Sequence, residues 1–312
     1  MKNRFLLLGQ KWIERGAWFF APLSLIWAFV SFWKNFLYDR GIFSVMRVAC
    51  PVVSVGNLVA GGTGKTPLVH LLASQFPGKR VAILSRGYGQ IPDEPMLLKR
   101  RLPNAKIYVG KDRVRLAKQA QLDGCDLIFL DDGFQYRKLH RDFDLVILAG
   151  SDPFGKGHFL PWGFLRDHPR RLQKADAVFV SGEGHVACEH IPLQLYVDRI
   201  LDFNEREIPS IAGMDVAIFS GIAKPQLFKK TVESLGARVV EEWILADHEQ
   251  APEQRLKIFG KRAQAIICTE KDFVKMRPMS LPIYFLEISY RPMRGPWEKL
   301  IAKIAEKIDN FK

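Results

Sequence analysis

Lys65 and Thr66 follow a glycine-rich run inside residues 52–73, VVSVGNLVAGGTGKTPLVHLLA. An apolar β-branched run (Val52, Val53, Val55) precedes them and a second apolar stretch follows. That order predicts strand, glycine turn and helix. It is the pattern of a phosphate-binding loop, in which backbone N–H groups and a helix N-terminus cradle the β- and γ-phosphates of a nucleotide. The cradle covers Val59, Ala60, Gly61, Gly62, Thr63, Gly64, Lys65 and Thr66. Val59 stands where the Walker pattern has glycine, but Gly61, Gly62 and Gly64 still allow a tight turn. The competing reading is a plain strand-to-helix turn with an exposed lysine.

Further groups can do chemistry beside such a loop. Asp131 and Asp132 follow four apolar residues, as Walker B carboxylates do. With the Thr66 hydroxyl they can place Mg²⁺ against the phosphates. Asp93 and Glu94 lie in SRGYGQIPDEP, either as a solvated acidic turn or with a general base that takes a proton from an acceptor hydroxyl. The basic, aromatic stretch 155–171 is either a solvated loop or a phosphate clamp. In the second case Arg166, Arg170 and Arg171 hold phosphate and Asp167 reaches the metal. Asp247-His248 sit in a predicted loop, where one histidine among 7 is by default a surface or core residue. TEKD (269–272) ends a predicted strand and reads equally as a polar lining or a helix cap.

The elements that position these groups are legible as an alternation. Strands are predicted at 80–87, 127–135, 142–150 and 175–182, with helix-forming stretches such as 111–122 between them. Such alternation implies an α/β fold with a P-loop NTPase-like parallel sheet and helices on both faces, its ligand site at the C-terminal strand ends. The pattern restarts at 215–245 and 263–276 and predicts a smaller C-terminal α/β domain. The expected divisions are an N-terminal apolar helix at 1–40, a kinase-like core at 41–191, an extended linker at 192–205 and a second domain at 206–312. Trp297, Leu300, Ile301, Ile304, Ile308 and Phe311 recur at helical spacing, which predicts core packing.

At 312 residues the chain is long enough for two domains. The net charge of +13 favours anionic partners, whether nucleic acid, acidic lipid or phosphorylated substrate. No nucleic-acid-binding motif accompanies that charge, so a nucleic-acid partner is not expected. Four scattered cysteines with no CxxC pair argue against a zinc site or disulfide framework. Residues 16–33, GAWFFAPLSLIWAFVSFW, carry no charge. As a helix they cover roughly 27 Å, short for a hydrocarbon core of about 30 Å. Trp12, Trp18, Trp27 and Trp33 suit a membrane interface. An interfacial anchor, a true span and a buried core helix remain as alternatives.

Taken in order, GNLVAGGTGKTP (56–67), SRGYG (85–89), DEP (93–95), LDDGFQYRKLHRDFDLVIL (130–148), LPWGFLRD (160–167), FSGIAKPQLF (219–228), DH (247–248) and TEKD (269–272) resemble the tetraacyldisaccharide 4′-kinases, the lipid A kinases of Gram-negative bacteria. The resemblance implies transfer of phosphate from MgATP to the 4′-hydroxyl of a lipid-linked tetraacyldisaccharide 1-phosphate, giving lipid IVA. It implies a monotopic protein on the cytoplasmic face of the inner membrane, with no obligate protein partner inferred. Carried over, Lys65 and Thr66 bind ATP and Mg²⁺, Asp131 and Asp132 match the metal carboxylates, and Arg166 neutralises phosphate charge. Asp93 matches the base, and His248 its orienting histidine. Three departures stand out: an insertion before DEP is missing, Asp167 replaces a usual Glu, and Glu249 replaces a second His. The rival reading from another class is a membrane-associated switch ATPase of the deviant Walker type. Its signature lysine would fall at Ala60, which counts against it.

Overall fold

One turn of 3-10 helix, Trp18–Phe20, leads into α1, Ala21–Asp39, with Pro22 in the first turn, where a missing N–H leaves no bond unmade. The chain then alternates through β1 (Val52–Gly56), α2 (Lys65–Ala73), β2 (Val81–Ser85), α3 (Asp93–Arg101), β3 (Lys106–Val109) and α4 (Arg113–Leu122). Strands β4 (Leu127–Asp131), β5 (Phe143–Ala149), β6 (Ala177–Ser181) and β7 (Ile191–Asp202) follow. The second half holds β8 (Asp215–Ser220), α5 (Pro225–Ser234), β9 (Arg238–Ile244), α6 (Glu253–Phe259), β10 (Ala265–Thr269), α7 (Glu270–Phe273), β11 (Ile283–Pro292) and α8 (Trp297–Asp309). The computed structural model describes residues 18–87, 93–184, 186–246 and 249–311.

The described chain divides into two compact units. One takes in residues 18–87, 98–195 and 290–311, and the other residues 93–97 and 196–289. In the first unit the strands run in the order β3, β2, β4, β1, β5, β6, and each neighbouring pair is parallel. All five residues of β1, β2 and β4 are buried, as the unbroken apolar runs require of strands covered on both faces. Alternate residues serve opposite faces. Val53, Val55, Ile83 and Phe129 pack with Leu68, Val69 and Leu72 of α2 and with Leu300, Ile304 and Ile308 of α8. Val52, Ala82, Ile128 and Leu130 pack with Ala117 and Ala120 of α4. The C-terminal apolar stripe is therefore core, and it groups with the first unit rather than with the second domain expected from sequence order. The segment read as a linker, 192–205, forms most of β7.

In the second unit β10 lies between β8 and β11, and β9 flanks β8, again in parallel. Phe219, Ile266, Cys268 and Phe285 fill one face, and Val216, Ile218, Ile267 and Leu286 the other.

Helix α1 does not fit the buried-core reading. Within it only Ser24 and Asn35 are buried, while Leu25, Phe29 and Phe32 are 71%, 62% and 63% exposed and Trp18, in the turn before it, 75%. The helix is apolar outward and polar inward. Ser24 Oγ donates to Phe159 O (2.7 Å), Trp27 Nε1 and Ser31 Oγ donate to Arg166 O (3.3 and 3.4 Å), and Lys34 Nζ donates to Gln135 O (3.0 Å). These contacts run the length of the helix and fasten it lengthwise to the first unit.

Candidate active site

Strand β1 sits in the middle of its sheet, between β4 and β5, so the loop leaving it emerges where flanking strands carry the chain to opposite sides. That is the usual ligand position of an open α/β sheet. Gly56 closes the strand because a Cβ there would lie 2.5 Å from Phe134 Cβ. At the other end of the loop Gly64 has φ +87° and serves as N-cap of α2. A side chain at Gly64 would overlap the Tyr290 hydroxyl, so both backbone conformation and space demand glycine. Lys65 and Thr66 then open α2, next to its positive end.

The unusual Val59 has a structural reason. It is buried with Leu58, Phe134 and Leu165, and it forms an antiparallel bridge to Leu165. Ala60 N donates to Phe164 O (2.7 Å) and Arg166 N donates to Leu58 O (2.8 Å). The first part of the loop is thus zipped to segment 159–166. Val59 and Ala60, expected to bind phosphate, instead form its packed outer wall, since the Ala60 N–H already has a partner. The open part of the cradle is Gly61, Gly62, Thr63, Gly64, Lys65 and Thr66. Thr63 Oγ1 accepts from Asn57 Nδ2 (2.9 Å), which braces the turn.

The aspartate pair ends β4, directly beside β1. Asp132 is held by two cationic neighbours. Arg166 grips it with both arms, Nη1 to Oδ2 at 3.0 Å and Nη2 to Oδ1 at 2.7 Å, and Lys65 Nζ lies 3.6 Å from Oδ1. Arg166 also donates to Asn57 Oδ1. Burial alone would raise the Asp132 pKa, but the Arg166 hydrogen bonds and the charges of Lys65, Arg166 and Arg113 outweigh it and hold the carboxyl well below the usual range. Asp131 is the opposite case. Burial, with the neighbouring Asp132 charge adding to it, pushes it up to about 6 against the pull of Lys65, Arg113 and Ser85. Ser85 Oγ donates to its Oδ2 at 3.4 Å, while Oδ1 is buried without a hydrogen-bond partner among the described residues. An orphaned carboxylate oxygen is the position a hard divalent cation takes. No cluster of three or more His, Cys, Asp or Glu side chains gathers among the described residues. A cation held here would complete its shell with a hydroxyl, water and phosphate oxygens, the habit of Mg²⁺ rather than of a protein-caged metal.

The other expected residues divide. Arg166 is at the site, but its guanidinium is engaged by a carboxylate rather than offered openly to phosphate. Asp167, expected to reach the metal, is buried and turned toward α1. Its Oδ1 accepts from Asn35 Nδ2 (2.8 Å), Ser31 Oγ (3.3 Å) and His168 N (2.9 Å), and its Oδ2 is 3.6 Å from Arg171 Nε. Arg171, a candidate phosphate clamp, is likewise buried, 4.0 Å from Asp39 and stacked over Phe134. Asp93 begins α3 and is fully buried, with Lys271 Nζ 3.5 Å from its Oδ2. Asp247 and His248 lie outside the described residues.

Sequence reasoning missed Asn57, Ser85, Arg113 and Tyr290. Asn57 and Ser85 stand inside quoted motifs, GNLVAGG and SRGYG, so their signal was present but unassigned. Arg113 opens α4, and Tyr290 is distant in sequence from the loop it abuts. No motif marks either.

A backbone cradle that opens onto a lysine, beside a buried pair of strand-end carboxylates, is the working part of a P-loop phosphoryl-transfer protein. Comparisons with known proteins narrow the class. A family model described as "LpxK: Tetraacyldisaccharide-1-P 4'-kinase" matches residues 16–308. A tetraacyldisaccharide 4′-kinase of Syntrophus aciditrophicus is 36% identical, covering 83% of this chain and 84% of that protein. One from Chlamydia trachomatis is 35% identical, covering 87% of this chain and 83% of that protein. The crystal structure of the "apo" form of LpxK from Aquifex aeolicus in complex with ATP matches with a TM-score of 0.77 at 28% identity, over 93% of this chain and 98% of that one. The chain belongs to the tetraacyldisaccharide 4′-kinase family.

Proposed function

We propose that this protein transfers the γ-phosphate of ATP to the 4′-hydroxyl of a tetraacyldisaccharide 1-phosphate, forming lipid IVA in lipid A biosynthesis. The observation that carries the reading is the grouping of Lys65, Asp132 and Arg166 beside a glycine cradle, with Asp131 Oδ1 awaiting a ligand. Lys65 neutralises charge on the transferring phosphate. Arg166 fixes Asp132, and Asp131, Asp132 and the Thr66 hydroxyl would hold an Mg²⁺ ion. Bound there with the Thr66 hydroxyl, Mg²⁺ would offset the charge of the β- and γ-phosphate oxygens. Arg166 would neutralise charge on the phosphate. Asp93 takes the proton of the acceptor hydroxyl, with His248 as its orienting partner. Positioning and charge neutralisation supply most of the acceleration in such transfers.

Helix α1 supports the membrane half of the reading. Its outward face is aromatic and aliphatic, Ile42, Phe43, Val45 and Met46 continue that exposed surface, and 11% of the apolar window is buried. Because its inward face is fastened lengthwise to the first unit, the helix suits lying in the interface on the cytoplasmic side of the inner membrane rather than crossing it. The net charge of +13 suits an anionic bilayer surface and a substrate bearing a 1-phosphate.

The deciding experiment is an assay of radiolabelled γ-phosphate transfer to tetraacyldisaccharide 1-phosphate in mixed micelles. Folded, ATP-binding protein that yields no phosphorylated lipid refutes the proposal. ATP turnover that is full without lipid would favour the switch ATPase instead.

A further inference from the structure

The TEKD segment takes no part in the phosphate cradle, yet its short helix is unusually well anchored. Thr269 caps α7, its Oγ1 accepting from Asp272 N (3.2 Å) and donating to Asp272 Oδ2 (2.6 Å). The same Oδ2 accepts from Gly221 N (2.9 Å), and Oδ1 accepts from Lys275 Nζ (2.8 Å). Asp272 and Lys275 are both buried, and Lys275 Nζ also donates to Glu249 O (3.2 Å). A one-turn helix does not stand by itself in water; this one is set by a buried ion pair and a backbone clamp. Lys271 springs from that fixed base. Its Nζ lies 3.5 Å from Asp93 Oδ2 and 3.4 Å from Glu94 Oε1, at the first turn of α3. All of these residues belong to the second unit.

A helix N-terminus is electropositive, so an ammonium placed there needs carboxylates to hold it. Conversely, two adjacent carboxylates, one of them fully buried, repel each other unless a cation or a shared proton intervenes. We propose that Lys271 is a positioning residue for phosphoryl transfer, which holds the Asp93–Glu94 pair in place and keeps Asp93 ionised to receive the proton of the acceptor hydroxyl. The inference rests on the reading of Asp93 as the base. In the step it serves, the acceptor oxygen forms a bond to the γ-phosphorus, the bond from that phosphorus to the β,γ-bridging oxygen breaks to release ADP, and the hydroxyl proton passes to Asp93.

The electrostatics agree with that division of labour. Burial pushes the Glu94 carboxyl up to about 7, a hydrogen bond with Asp93 and the Asp93 charge push the same way, and Lys271 opposes them. Glu94 is thus the member of the pair that holds its proton more readily than an ordinary glutamate. Among the described residues, the ion pairs here join Asp93 and Glu94 from α3 to Lys271 from α7. The next charged residues on α7 and beyond it, Asp272 and Lys275, are paired with each other.

The test is the pH profile of kcat for wild type, Lys271→Met, Lys271→Arg and Asp93→Asn, at saturating MgATP and lipid acceptor in mixed micelles. Loss of the ammonium raises the carboxylate pKa, so the acidic limb of Lys271→Met moves up by about one pH unit, and kcat falls by up to about tenfold at pH values below the wild-type limb while the plateau above it is kept. The KM for MgATP stays within about twofold, and Lys271→Arg restores the limb. An unmoved limb, or a loss equal at every pH accompanied by a rise in the KM for MgATP, overturns the proposal. Circular dichroism and a thermal scan confirm folding, and Lys271→Gln replaces the methionine variant if that one does not fold. Asp93→Asn separates the two ideas. If it is inactive while the Lys271→Met limb stays put, the base stands and the lysine role falls. If it keeps more than about a tenth of wild-type kcat, the base reading falls and takes the lysine role with it.

Discussion

Asparagine at position 131 should make the metal-free protein more stable while destroying its activity. The Asp131 carboxyl is buried, and burial first, then the Asp132 charge, raise it from the usual 3.8 to about 6. The folded state therefore binds this proton more tightly than the unfolded chain does, so ionising it works against folding. The destabilisation is absent below pH 3.8, grows between 3.8 and about 6, and is complete above that. Two pKa units at about 1.4 kcal/mol each amount to about 3 kcal/mol. Asp131→Asn keeps the shape, and its amide can donate to the Ser85 hydroxyl that now approaches Oδ2 at 3.4 Å. In EDTA and without nucleotide, urea unfolding followed by tryptophan fluorescence should show the variant more stable by up to about 3 kcal/mol at pH 8, with little difference near pH 4. Phosphate transfer in the presence of MgATP should fall by about 100-fold or more. A variant less stable than wild type at pH 8, or one stabilised equally at both pH values, would refute the assignment of Asp131 as a carboxylate held in readiness for a cation.

Lys65→Ala should lower kcat for lipid phosphorylation by about 100-fold or more with the fold intact, read as product formed in micelles. Gly64→Ala forces a φ of +87° on an L-residue and drives its Cβ into the Tyr290 hydroxyl; a loss of about 2–4 kcal/mol in urea is expected, and a double-mutant cycle with Tyr290→Phe should recover part of it. Val59→Gly restores the Walker glycine yet opens a cavity beside Leu58, Phe134 and Leu165; it should cost about 2–4 kcal/mol with no gain in ATP affinity by calorimetry. Asn35→Leu removes the 2.8 Å donor to the buried Asp167, and its thermal midpoint should drop by an amount corresponding to about 1–3 kcal/mol.

The sheet of the first unit was legible because its determinants are local. Unbroken apolar runs in β1, β2 and β4 announced strands buried on both faces, and the glycines announced the loop. The aspartate pair was legible for the same reason, as a polar tip on an apolar strand. What could not be read were the partners that residues find across the chain. Val59 looked like a defective Walker position because its bridge to Leu165 is more than a hundred residues away in sequence. Asp167 and Arg166 are neighbours, and both looked suited to the phosphate site. Only the fold shows one side chain turned to Asp132 and the other to Asn35. The C-terminal stripe was correctly read as core, but which core it joins depends on packing with Val53 and Phe129, which periodicity does not encode.

Helix α1 touches the backbone of Arg166 through Trp27 and Ser31, and Arg166 in turn grips the aspartate nearest Lys65. The outward-facing aromatic side chains and the nucleotide cradle are therefore parts of one frame, with no hinge between them in that path. Whatever surface receives those side chains, its height above the transferring phosphate is fixed by the protein. Were that surface a bilayer, as proposed, the molecule would act as a depth gauge, serving an acceptor whose hydroxyl stands at that elevation above its own acyl chains.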